Sequence, residues 1–184
     1  DGETSTNDTA IIMANGLANN KVITEEDKKS FKLLKNKLDE ICASLSKMIV
    51  LDGEGMTKAI IVSVRGTKTQ KDAFEIAKFL ATSNLIKLLF VSLNPNYEKI
   101  LSTIGNTNVN IKNILLSVNG INIYKNGKLN NNKSDINRLK DSFNKDRKEY
   151  SIILDCGYNT KYEDYYYFTD ITQEYIAVHS AYNI

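Results

Sequence analysis

Phe31, Leu34, Leu38, Ile41, Leu45 and Met48 recur at alternating three- and four-residue steps, the period of a single helix face. The stripe predicts a long amphipathic helix. Thr24-Glu25-Glu26-Asp27 leads into it like a capping box, and the Asp52 turn ends it. Ahead of that helix, the apolar run in residues 9–15, closed by Gly16, predicts a strand. Behind it, Ala59-Ile60-Ile61-Val62-Ser63-Val64 is rich in β-branched residues and predicts another. Residues 69–81 return to helical spacing, with Phe74, Ala77 and Leu80/Ala81 on one face. Residues 85–91 are continuously apolar, which predicts a strand buried on both faces.

Further along, Asn94-Pro95 offers an N-cap followed by a proline at the first helical position, before Tyr97, Ile100, Leu101 and Ile104. Two Asn-Gly pairs, 119–120 and 126–127, flank Ile121-Asn122-Ile123-Tyr124. Asn-Gly favours type I′ turns, so residues 111–129 read as a β-meander. Ser134 opens a helix showing Ile136, Leu139 and Phe143. Strands at 150–154 and 165–168 and a helix at 171–182 complete the chain. Alternating strands and helices with at least one meander predict an α/β (α+β) fold of mixed sheets packed with helices. The hairpins exclude a purely parallel sheet.

Composition narrows the partners. The 184 residues are 42% hydrophobic and 25% charged, which predicts one soluble domain over 1–184. Twenty-four basic and 22 acidic residues leave a net charge of +2, too even to recruit nucleic acid or an anionic membrane surface. No apolar run reaches the roughly 20 residues of a membrane span, and no basic-then-apolar leader opens the chain, so a cytoplasmic location is expected. Cys42, on the helical stripe, and Cys156, at a strand end, read as reduced core residues. The lone histidine, His179, excludes a multi-histidine metal site, and no metal or cofactor is expected.

Candidate chemistry concentrates in Asp52-Gly53-Glu54-Gly55-Met56-Thr57-Lys58. Two glycines bracket a carboxylate where a helix gives way to a strand. By residue type, Glu54 either binds an ammonium group, tunes a nucleophile's amine, or is simply solvated while Asp52 caps the helix end. Ser5-Thr6-Asn7-Asp8 reads as a second polar cluster or a hydrogen-bonded turn. The Tyr165-Tyr166-Tyr167-Phe168 run has no basic patch around it and reads as strand packing.

The order of these segments resembles the C-terminal (β) chain of the ornithine acetyltransferases, the bifunctional ArgJ family. That family carries a run like Asp-Gly-x-Thr-Ser-Thr-Asn-Asp-Thr, here residues 1–9. It also has a run like Asp-Gly-Glu-Gly-x-Thr-Lys, here residues 52–58. Asn94-Pro95-Asn96-Tyr97-Glu98-Lys99-Ile100 matches a third run loosely, and residues 169–176 match a fourth. The resemblance implies a layered fold like that of the N-terminal-nucleophile hydrolases, made by a self-cleaving precursor. It implies acetyl transfer from N2-acetyl-L-ornithine to L-glutamate, in arginine biosynthesis, through a threonine acetyl-enzyme. Glu54, by motif match, would be the supporting catalytic and substrate-binding carboxylate. The implied partner is the α chain of the same precursor, in an α2β2 assembly.

The chain also departs from the family pattern. The nucleophilic threonine belongs upstream of the first motif, and Thr4, Thr6 and Thr9 do not hold its position. The chain alone is therefore expected to be inactive, with the nucleophile-bearing segment lying before residue 1. At the other end His179 stands where the family has Asn, and Ile184 where it has a hydroxyl residue. These departures leave two further readings open: an inactive homologue or fragment acting as an interaction subunit, or a relative with a different acyl substrate.

Overall fold

A computed structural model describes residues 5–109, 111 and 113–181. The chain divides into two compact units, 2–48 and 49–184.

In the first unit, residues 9–15 form no strand and are exposed. An extended apolar run is a strand only where a neighbour shares its ladder, and these residues have no strand partner among the described residues. The long helix forms as the stripe predicts: α1 spans Lys28–Leu51. Asp27 caps it, its carboxylate accepting from Ser30 N at 3.2 Å and its carbonyl from Phe31 N at 2.9 Å. Those Ser30 hydrogen bonds hold the Asp27 carboxyl below the usual aspartate range. No residue of α1 is buried, however, and Ile41 and Met48 are 56% and 59% exposed. Cys42 is exposed as well, so it is not the core residue its place on the stripe implies.

The second unit is built on a mixed sheet of six strands in the order β4-β3-β2-β5-β1-β6. They are β1 (Ala59–Arg65), β2 (Leu115–Val118), β3 (Ile121–Lys125), β4 (Lys128–Leu129), β5 (Glu149–Asp155) and β6 (Glu163–Thr169). Strand β1 lies between β5, parallel to it, and β6, antiparallel to it, so that Ile60 faces Tyr150 on one side and Phe168 on the other. The meander forms as its two Asn-Gly pairs predict. Asn119 and Gly120 have φ of 50° and 77°, and Asn126 and Gly127 have φ of 49° and 81°, the left-handed values a type I′ turn requires.

Helices α2 (Gln70–Thr82), α3 (Asn84–Ser92), α4 (Glu98–Gly105) and α5 (Lys133–Ser142) join one face of the sheet in a single core. Alternation along β1 and β5 turns Ile60, Val62, Val64, Tyr150, Ile152 and Leu154 into that core. On the opposite face Ile61, Ser63, Ser151, Ile153 and Tyr167 stay half-exposed.

Three boundaries differ from the sequence reading, each for a local reason. Residues 85–91 are helical, not a strand. Ile86, Leu89 and Phe90 are buried while Leu85, Leu88 and Val91 are exposed, so the apolar run is a helix whose outer face is also apolar. Asn94 does not cap α4. Residues 94–97 form tight turns, with Asn96 N donating to Asn94 O and Tyr97 N to Pro95 O, and the helix starts at Glu98. Asn132, not Ser134, caps α5, its side chain accepting from Ser134 N and Asp135 N.

Phe90 is the hub of the aromatic core. Its ring lies 5.6 Å from Phe143, 5.1 Å from Tyr150 and 6.0 Å from Phe168, joining α3 to the end of α5 and to two strands. Phe90→Ala is expected to cost about 3–5 kcal/mol, read by denaturant unfolding; a loss below about 1 kcal/mol would show that the cluster carries little packing energy. Burial and the nearby Asp155 and Asp72 charges push the Cys156 thiol up to about 12. At mild alkaline pH a thiol-alkylating reagent should therefore label Cys42 quickly and Cys156 only after unfolding, which peptide mass mapping would read.

Candidate functional site

The segment 52–58 leaves the end of α1 and enters β1. Met56 N donates to Gly53 O at 3.2 Å, closing a tight turn that holds Glu54 at its exposed edge. Gly55 sits at φ 70°, and a Cβ built there would lie 2.5 Å from Tyr175 N and 2.7 Å from Tyr175 Cα. Tyr175 belongs to α6 (Gln173–Ser180), so the turn rests directly on the backbone of that helix's first turn. Only glycine meets both demands, of backbone angle and of space.

The sequence reading missed what holds this turn. Asp170, just past β6, is fully buried, and its carboxylate accepts from Thr57 N at 2.9 Å, from Lys58 N at 3.1 Å and from the Thr57 hydroxyl. Two residues on, the Thr172 hydroxyl donates to Gly55 O and accepts from Tyr175 N at 3.0 Å, which makes Thr172 the N-cap of α6. Asp170 and Thr172 lie inside the fourth family-like run, but residue type alone gave neither a partner. The buried Lys58 ammonium donates to Lys145 O at 2.8 Å. Its pKa is lowered by burial and by the like charge of Lys148, which outweigh Asp170 and Asp146.

His179 is exposed on α6, with its ring 4.3 Å from that of Tyr175. Asp52 is exposed after the last residue of α1. In the first unit Ser5 N and Oγ donate to the two Asp8 carboxylate oxygens at 2.9 and 3.2 Å, the hydrogen-bonded turn that was one of the two readings. Residues 1–4 and Ile184 lie outside the described residues. Among the described residues no helix is long and apolar enough to cross a membrane. The tyrosine run lies in β6, where Phe168 is buried and Tyr165 and Tyr167 make an edge-on ring pair at 5.6 Å.

Residues 1–184 match the model of the ArgJ family along their whole length. The chain belongs to the ArgJ family. It is 32% identical over 184 residues to the arginine biosynthesis bifunctional protein ArgJ of Bacillus cereus, covering 99% of this chain and 44% of that protein. It is 32% identical over 190 residues to the glutamate N-acetyltransferase of Methanocaldococcus jannaschii, covering 99% and 45%. A mitochondrial ArgJ of Dictyostelium discoideum is 44% identical over 105 residues, covering 57% of this chain and 24% of that protein. The chain thus spans less than half the length of these curated relatives. Its fold matches the crystal structure of ArgJ from Bacillus halodurans with a TM-score of 0.87 and 27% identity, covering 99% of this chain and 84% of that one. The mixed α/β architecture is therefore the layered, N-terminal-nucleophile-hydrolase-like fold of the ArgJ family.

Within this ArgJ-family chain, Gly55→Ala is expected to lower stability by about 1–3 kcal/mol, because the new Cβ meets backbone and the φ is strained. It should also shift the Tyr175 amide resonance. An unchanged melting temperature and an unchanged Tyr175 signal would mean that the turn does not rest on α6.

Proposed function

We propose that this chain forms the β-chain part of an ornithine acetyltransferase, passing an acetyl group from N2-acetyl-L-ornithine to L-glutamate. The observation that carries the reading is the intact 52–58 motif, with Glu54 held at the exposed edge of a turn seated on α6, inside a chain-long ArgJ match. The chemistry proceeds in two balanced steps. A threonine hydroxyl at the start of the β chain, upstream of residue 1, attacks the acetyl carbonyl. The amide C–N bond breaks, ornithine leaves with the proton on its nitrogen, and an acetyl ester remains on the enzyme. The amino nitrogen of glutamate then attacks that ester, and the hydroxyl regains its proton as N-acetylglutamate departs. Glu54 supplies a negative charge beside the site, binding the side-chain ammonium of the donor and stabilising the protonated amine during transfer. The partner in this reading is the α chain of the same precursor, in an α2β2 assembly.

The test is acetyl trapping in the full-length protein. Incubation with N-acetyl-L-ornithine labelled in the acetyl group should leave one acetyl group on a threonine, released by added glutamate. Glu54→Gln should lower kcat/KM by about ten- to a hundredfold, the effect expected for losing a charged hydrogen bond. Absence of any acetyl adduct, together with full retention of glutamate-dependent turnover, would sink the covalent route. Absence of both adduct and turnover would leave an inactive relative.

A further inference from the structure

We propose that Asp170 and Thr172 are positioning residues that latch the 53–58 turn to α6 and thereby fix where Glu54 stands. The inference rests on the proposed role of Glu54 and adds to it the groups that give that carboxylate its place.

Three observations converge. Asp170 is fully buried, and among the described residues all three hydrogen bonds its carboxylate accepts come from Thr57 and Lys58. A buried anion is tolerated only while its donors stay in place, so any drift of this segment strands a charge out of water. Thr172 then ties Gly55 O to the first turn of α6 through one hydroxyl that donates to Gly55 and accepts from Tyr175 N. Finally, Gly55 leaves no room for a side chain against Tyr175. The turn is therefore pinned at 55, 57 and 58, and these anchors immediately follow Glu54, which is exposed. Turns hung between a helix and a strand are ordinarily among the more mobile parts of a fold. Here both anchors come from one short stretch at the β6–α6 junction, more than a hundred residues downstream.

An alternative use of the same contacts is simple stapling of β6 to β1, with no consequence for Glu54. The two are separable, because Thr57 is exposed as a residue and can be changed without opening the core. In the full-length protein, Thr57→Val removes the hydroxyl that Asp170 accepts from, and Thr57→Ser restores it. The expected result is that Thr57→Val weakens N-acetyl-L-ornithine binding, by calorimetry, about tenfold, with recovery in Thr57→Ser. The loss should vanish in a Glu54→Gln background, since a positioning residue acts only through the group it positions. Amide hydrogen exchange of residues 53–58 should quicken in Thr57→Val and in Asp170→Asn. Equal losses of binding in both backgrounds would overturn positioning and leave the staple. Unchanged exchange in both variants would overturn the latch itself. Wild-type binding by Glu54→Gln would instead overturn the assigned role of Glu54 and the latch's functional part with it, while exchange alone would still decide whether the turn is held.

Discussion

The buried part of this molecule depends on the parallel pairing of β1 with β5 inside the sheet. Parallel neighbours cannot be joined by a hairpin, so β1 and β5 need a long crossover. It runs through α2, α3 and α4, adds the β2–β4 meander to the same sheet, and returns through α5. That excursion supplies what the inner faces of β1 and β5 need. Ile60, Val62, Val64, Ile152 and Leu154 are covered by Ile76 and Leu80 of α2, Phe90 of α3, Ile104 of α4 and Leu139 of α5. Strand β6, antiparallel to β1, then closes that edge and carries the chain to Asp170.

The second constraint is electrostatic. A carboxylate with no exposed surface must be matched by donors, and Asp170 finds them in the backbone and hydroxyl of Thr57 and the backbone of Lys58. The demand acts at the entrance to β1, so one buried charge couples the end of the last strand to the start of the first. Lys58, one residue further in, is buried under the opposite logic: its ammonium is satisfied by the Lys145 carbonyl while burial favours its neutral form. Thr67, Lys87, Thr103 and Ser117 are buried elsewhere, in an interior that is mainly apolar and aromatic.

Much of the fold was legible because several sequence signals have one physical meaning. Asn-Gly at 119–120 and 126–127 demands left-handed backbone, and the meander follows. The β-branched run from Ala59 predicts a strand, and β1 forms there. The apolar run at 85–91 misled because an apolar helix in a large core and a doubly buried strand share one composition; only the one-sided burial of Ile86, Leu89 and Phe90 separates them. The run at 9–15 misled for the opposite reason. Its composition suits a strand, but strand formation needs a partner that local sequence cannot supply. The α1 stripe is helical as its period predicts, while Cys42 on it is exposed and not a core residue, since periodicity reports a helix's apolar face and not what covers it.

The sequence by itself determined the family and the motif at 52–58, and made Glu54 the candidate, because those rest on residue identity in order along the chain. It also determined the turns and most elements, because they rest on contacts between near neighbours. Only the tertiary structure decided that Gly55 is required by the backbone of Tyr175, that Asp170 holds Thr57 and Lys58, and that Thr172 joins Gly55 to α6. These contacts link residues more than a hundred positions apart. Nothing in a local pattern of polar and apolar residues encodes which distant hydroxyl or amide a buried carboxylate will meet.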